Sequence, residues 1–272
     1  MPPRASNKAP VEAHAAEKRS VIEVAGRQLE IERLGSRAAG WPTIVFLHEG
    51  LGCISHWRDF PQRAVEATGY SALIYSRYGY GQSDVLEGKR NADYMHREAL
   101  DVLPALLDKL EIRNPMLFGH SDGASIALVH AGAGHSVRGL ILEAPHVFVE
   151  DISIQGATQA AQQYRDTDLP KRLGRHHRDA DKTFWGWHDI WTSAEFRDWN
   201  IEKSLSGITC PLLAIQGEQD AYGTLRQIDA VVRQVSGPRR KLVLPDCGHR
   251  PHRKHPETIL EATTSFIESV LE

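Results

Sequence analysis

The sequence has no apolar run approaching the roughly 20 residues that a membrane span needs, so no membrane partner is expected. It has three cysteines, Cys53, Cys210 and Cys247, and none stands in CxxC spacing. They cannot all pair with one another and do not look like a zinc site, so free thiols in a reducing compartment are expected. No block of Lys and Arg is long enough to track a phosphate backbone, which argues against nucleic acid as a partner. The full glycine-rich phosphate fingerprint is missing too; Gly79-Tyr80-Gly81 alone implies no nucleotide. The first residues are polar and rich in Ala, Pro and charge, without the apolar stretch of a secretory signal. Residues 1–20 are therefore expected to form a flexible tail, and cytoplasmic residence is the default expectation.

What is present suits a folded enzyme-sized chain. The 272 residues are 41% hydrophobic and 25% charged, ordinary globular usage that can bury a sizeable core. Val21–Val24 and Gln28–Arg33 alternate around Ala25-Gly26-Arg27 and read as a hairpin. Thr43–Leu47 is a short continuous apolar run, the pattern of a strand buried on both faces. Similar runs recur at Ser71–Tyr75, Met116–Phe118, Gly139–Leu142, Pro211–Ile215 and Lys241–Leu244. Between them, helical periodicity covers Ala92–Leu110, Gly123–Ala133, Gly223–Val235 and Pro256–Leu271. This alternation predicts an α/β fold with a mostly parallel sheet covered on both faces. Residues 148–206 lack any buried-strand signal, and so long an insertion is expected to be a functional helical cap over the strand ends.

Gly119-His120-Ser121-Asp122-Gly123 matches G-x-S-x-G, directly after one predicted strand and before a predicted helix. A serine on so tight a turn needs small neighbours, and the turn presents its hydroxyl near a helix N-terminus. Here the sequence resembles the α/β-hydrolase superfamily in its serine-nucleophile branch. His48-Glu49-Gly50-Leu51-Gly52 is similar to the family's His-Gly oxyanion loop, and Arg77–Asp84 to its Arg-Pro-Gly-x-Gly-x-Ser turn. Gly217–Asp220 and Cys247-Gly248-His249 resemble its acid and histidine loops. The resemblance implies an eight-stranded, mostly parallel sheet with helices on both faces. The core would comprise residues 21–147 and 207–272, and the cap residues 148–206.

A serine hydroxyl needs a base, and the base needs an orienting acid. The family order of serine, acid, histidine implies Ser121, Asp220 and His249. His252 and His255 are rivals better read as surface or helix-start residues before Pro256, and His120 as packing or orienting the elbow. Glu218 reads as a solvated loop carboxylate. Glu143 is a second candidate acid, with pocket lining or structural hydrogen bonding as its alternative role. The resemblance implies an oxyanion hole made of the Asp122 amide and that of Gly50 or Leu51. Glu49 departs from the family's glycine and sets a carboxylate beside that hole, with His48, Arg77 and His56 as candidate partners.

Phe184–Trp191 is dense in aromatic rings, expected mostly to anchor the cap, with one or two rings facing substrate. The expected substrate-binding set is Glu49, His146, Phe148, Trp185 and Trp187. The adjacent His176 and His177 are a weak metal signal, and no metal or organic cofactor is expected. The expected activity is hydrolysis of a small to medium carbonyl substrate, foremost a carboxylic ester, through an acyl-enzyme. Carbon–carbon hydrolysis of ring-cleavage products, lactonase and amidase chemistry would use the same triad. A non-catalytic ligand-binding receptor is the reading from another class. The expected partner is a small-molecule substrate, with a homodimer left open.

Overall fold

The computed structural model describes residues 19–35 and 42–271; most of the expected tail, up to residue 18, lies outside the described residues. The hairpin forms as β1 (Ser20–Val24) and β2 (Arg27–Leu34). Six more strands follow: β3 (Thr43–Leu47), β4 (Ser71–Tyr75), β5 (Met116–His120), β6 (Gly139–Glu143), β7 (Leu212–Gly217) and β8 (Arg239–Leu244). They make one eight-stranded sheet in the order β1-β2-β4-β3-β5-β6-β7-β8. The β1–β2 and β2–β4 pairings are antiparallel, and every later pairing is parallel.

The period-two geometry of a strand sends neighbouring apolar residues to opposite faces. Ile44, Phe46, Phe118 and Ile141 join one core, shared with residues of α1 (Phe60–Thr68). Val45, Leu47, Leu117 and Leu142 join the other. Burial on both faces explains why these strands read as unbroken apolar runs.

The expected helix Ala92–Leu110 is not continuous. It consists of α2 (Tyr94–Arg97), a π turn over Glu98–Val102 and α3 (Leu103–Lys109). Pro104 lacks the N–H that would continue the regular ladder, so a wider turn lies at this point. After the elbow comes α4 (Asp122–Gly132), buried along almost its whole length.

Between β6 and β7 the chain forms α5 (Asp151–Asp166), α6 (Leu169–Leu173), α7 (Ala180–Trp191) and α8 (Glu202–Leu205). This insertion contains no strand; a single bridge, Phe148 to Asn200, closes its base. Tyr164 of α5 stacks on Phe184 of α7 with ring centroids 4.0 Å apart. Then come α9 (Arg226–Gln234), α10 (Pro251–Lys254) and α11 (Pro256–Leu271), the last packed with α1 on the core of Phe46 and Phe118. The expected helix from Gly223 starts only at Arg226, because Glu150 holds the Thr224 amide (2.9 Å) and hydroxyl (2.8 Å) in a loop. The chain runs outward from β3 to β4 on one side and to β5 on the other. That reversal opens a crevice at the strand ends, the usual place for a ligand in open α/β sheets.

Candidate active site

Two loops flank that crevice. Ser121, on the turn between β5 and α4, sits at φ +54° and ψ −118°, a conformation that side chains rarely adopt. Its glycine neighbours are required by space. A Cβ on Gly123 would lie 1.9 Å from the Leu47 carbonyl oxygen, and one on Gly119 would lie 2.5 Å from the Ala124 Cα. The Ser121 amide donates to the Glu143 carbonyl at 2.9 Å, tying the turn to β6. The G-x-S-x-G spacing is thus a packing constraint that leaves the serine side chain in the crevice.

His249 Nε2 lies 2.9 Å from Ser121 Oγ, and His249 Nδ1 lies 2.9 Å from both carboxylate oxygens of Asp220. The acid and histidine loops are interlocked: the Gln219 amide donates to the Cys247 carbonyl at 2.9 Å. A Cβ on Gly217 would approach that same carbonyl oxygen to 2.1 Å. Asp220 also accepts from the Tyr222 amide at 2.8 Å. Burial opposes charge on Asp220, but His249 and the Tyr222 amide outweigh it and hold the carboxyl below its usual range. Burial would likewise lower His249; the Asp220 carboxylate reverses this and raises its pKa. The neutral imidazole can take a proton from Ser121, and the resulting cation already has its counter-charge in place.

The amides of Gly50, Leu51 and Asp122 have no acceptor within the protein among the described residues. Gly50 and Asp122 line the crevice with Ser121. Glu49, at the start of the same loop, does not pair through its carboxylate with His48, Arg77 or His56. Instead it is 2.7 Å from His120 Nδ1 and 3.1 Å from Arg250 Nη2. Arg77 is committed elsewhere, donating to the backbone carbonyls of His48 (3.1 Å) and Glu49 (3.0 Å) and lying 3.7 Å from Asp122. Burial would raise the Glu49 pKa, yet Arg250 and His120 hold it well below the usual carboxylate range. The negative charge beside the loop is therefore neutralised by its neighbours.

Residues 44–262 match the Alpha/beta hydrolase family. The chain belongs to this family. Among curated proteins, this hydrolase is 26% identical over 255 residues to the mouse protein named serine hydrolase BPHL, covering 91% of this chain and 85% of that one. It is 25% identical over 262 residues to 2-succinyl-6-hydroxy-2,4-cyclohexadiene-1-carboxylate synthase of Yersinia enterocolitica, covering 83% of this chain and 86% of that protein. Among solved structures, the enol-lactonase of Burkholderia xenovorans superposes with a TM-score of 0.72 at 18% identity, over 92% of this chain and 100% of that one.

The hydrolase carries an open cavity of about 970 Å³ whose wall includes Ser121, His249, Glu49, His146 and Trp187. Phe148 and Trp185 do not reach it. Phe148 lies in a separate shallow hollow, under the Arg226 guanidinium at 5.4 Å. Trp185 borders another hollow with Leu86, stacked by Arg165 at 5.2 Å. Sequence density could not separate these rings, but helical phase could have done so. Phe184, Trp187 and Trp191 share one face of α7, and Trp185 lies about a third of a turn from it. Trp191 and Tyr222, not singled out from sequence, line the cavity as well, the Tyr222 ring being 4.8 Å from that of His249. His146 has its Nδ1 buried without a partner, and burial followed by the nearby His249 lowers it to about 4.

His252 is not a surface residue. It is buried and 2.5 Å from Glu143, which lies behind the elbow and is likewise buried. Glu143 thus engages His252 instead of His249. Two histidine groups, Cys53–His56–His177 and His120–Glu143–His252, are tight enough to suggest a metal. In each, one ring is already committed at both nitrogens. His177 accepts from the Gly81 amide at 2.9 Å and reaches the Leu51 carbonyl at 3.2 Å. His120 spans the Glu49 carboxylate and the His249 carbonyl, the latter at 2.6 Å. These clusters serve hydrogen bonding and offer no open coordination set. No helix of the described residues is long and apolar enough to cross a membrane.

Proposed function

We propose that this hydrolase is a serine hydrolase that cleaves a carbonyl substrate, foremost a carboxylic ester, through an acyl-enzyme. The observation that carries the reading is the unbroken relay from Asp220 through His249 to Ser121, ending in a cavity wall. Ser121 Oγ attacks the carbonyl carbon while His249 Nε2 takes its proton; the oxyanion forms against the free amides of Asp122 and of Gly50 or Leu51. His249 then returns the proton to the leaving group, and water repeats the sequence to release the acid. Asp220 fixes the imidazole tautomer and stabilises its cation. Helices α5 to α7 act as a cap, supplying Trp187 and Trp191 to the cavity wall.

The same relay could open a lactone or cleave a vinylogous diketone. The polar cavity favours such oxygen-rich substrates over long aliphatic esters, since His56, Arg58, Arg172 and His176 stand in its wall. Purified protein should be offered p-nitrophenyl butyrate, a simple lactone and a vinylogous diketone. Turnover of the butyrate with a burst of nitrophenolate is expected. Turnover of the diketone alone would select carbon–carbon hydrolysis, and no turnover of any carbonyl substrate would count against the proposal.

A further inference from the structure

The cavity carries an uneven charge that the relay does not use. Five cationic side chains line it, Arg58, Arg172, Arg250, Arg253 and Lys254, against three carboxylates, Glu49, Asp122 and Asp246. The chain as a whole has a net charge of −3, so this concentration of positive charge is local. Two of the three carboxylates are already matched: Glu49 by His120 and Arg250, and Asp122 by Arg77 and the Tyr94 hydroxyl. Asp246 accepts from Gln219 at 3.1 Å. On the cationic side, Arg250 is held by Glu49, and Arg172 by Asp168 at 3.2 Å. Arg58 and Arg253 have no ion-pair partner among the described residues.

Arg253 is partly buried and Arg58 exposed, and both stand in the wall of the one cavity. Burial, then Arg250 and Arg58, push the Arg253 pKa below its usual value, although Glu49 partly offsets them. Arg58 is held at φ +54° at the end of the Ile54–Trp57 turn, a conformation uncommon for a bulky residue. Arg172 comes from the insertion, whereas Arg58 ends a turn of the core and Arg253 belongs to the core helix α10. All three guanidiniums share the cavity wall with Ser121 and His249.

We propose that the substrate carries an anionic oxygen group, carboxylate or phosphate, remote from the bond cleaved, and that Arg58 and Arg253 hold it. Arginine suits this task because its planar fork meets two such oxygens at once. The proposal rests on the serine-hydrolase reading for the position of the reacting carbonyl. It goes beyond that reading by naming the substrate's charge class.

The test compares two p-nitrophenyl esters of equal chain length, the neutral hexanoate and the monoester of adipic acid. The expected kcat/KM favours the adipate monoester by roughly tenfold, about the factor that one charge-assisted hydrogen bond contributes. This ratio should fall toward unity in concentrated salt, which screens a rim-exposed site. It should also fall in the Arg58→Gln/Arg253→Gln double variant and survive in the Arg58→Lys/Arg253→Lys pair. Inhibition of hexanoate turnover by glutarate or by inorganic phosphate tells which anion is preferred; inhibition by neither overturns the proposal. So does a wild-type ratio at or below unity, or a ratio unchanged in the glutamine variant. Should neither ester react, the hydrolase reading fails on its own, and binding decides the anion site. Saturable quenching of cavity tryptophan fluorescence by glutarate or phosphate, lost in the glutamine variant, would uphold it, and no quenching would overturn it.

Discussion

Glu49 places a carboxylate beside the amides proposed to receive an oxyanion, where an unpaired negative charge would oppose the reaction. Arg250 and His120 remove that conflict, and the remaining field of Glu49 helps to raise the His249 pKa. Glu49→Gln should therefore lower the His249 pKa, moving the acid limb of the kcat/KM profile to lower pH. A pH–rate profile checks this, and an unshifted limb would leave Glu49 with a structural role only. In the wild type, the limb should stand above about 6.5, the unperturbed imidazole value, because His249 is raised. Asp220→Asn should lower kcat by ~10⁴-fold through the wrong tautomer, measured on any ester the protein turns over. The positions of Ser121, Asp220 and His249 were legible because each follows a recognisable strand in a fixed order. The partners of Glu49 were not, since His120 and Arg250 come from two other loops and only folding brings them to one carboxylate.

Among the elements, the base of the insertion depends on one side chain of α9. Gln227 is fully buried; its oxygen accepts from the Val147 amide at 2.8 Å, and its nitrogen donates to Phe148 and Glu150 at 3.0 and 2.8 Å. Gln227→Ala would orphan these groups, at a cost of about 1–3 kcal/mol for each left buried and unpaired. A lowered midpoint in urea unfolding is the expected result, and an unchanged midpoint would mean that water replaces the amide. Buried strands and long helices were readable from periodicity because their patterns arise from burial itself. The π turn at Glu98–Val102 was not, as it answers to a missing N–H at Pro104. Nor was the split between Trp187 in the cavity and Trp185 outside it evident from aromatic density. That split depends on the phase of α7 against the core.

Across the whole molecule, burial is the leading cause that lowers six histidines among the described residues, His48, His56, His96, His130, His146 and His177. The unfolded chain binds their protons below about pH 6.5, whereas the folded chain resists until lower pH. Stability should therefore fall as pH drops from about 6.5 toward 4. His249 runs the other way, since its raised pKa adds stability at low pH that is lost as pH rises through the folded value. One group against six leaves a net decline, and thermal melts across that window check it; a flat melting temperature would contradict these histidines' being buried neutral. The central claim is that a buried acid and an imidazole activate one serine at the edge of the sheet. Reaction with a fluorophosphonate, mapped by peptide mass spectrometry, tests this most directly. A single stoichiometric adduct on Ser121, abolished in Ser121→Ala and lost or slowed by ~10³-fold or more in His249→Ala, is the predicted result. No adduct, or one formed equally fast without His249, would contradict the account.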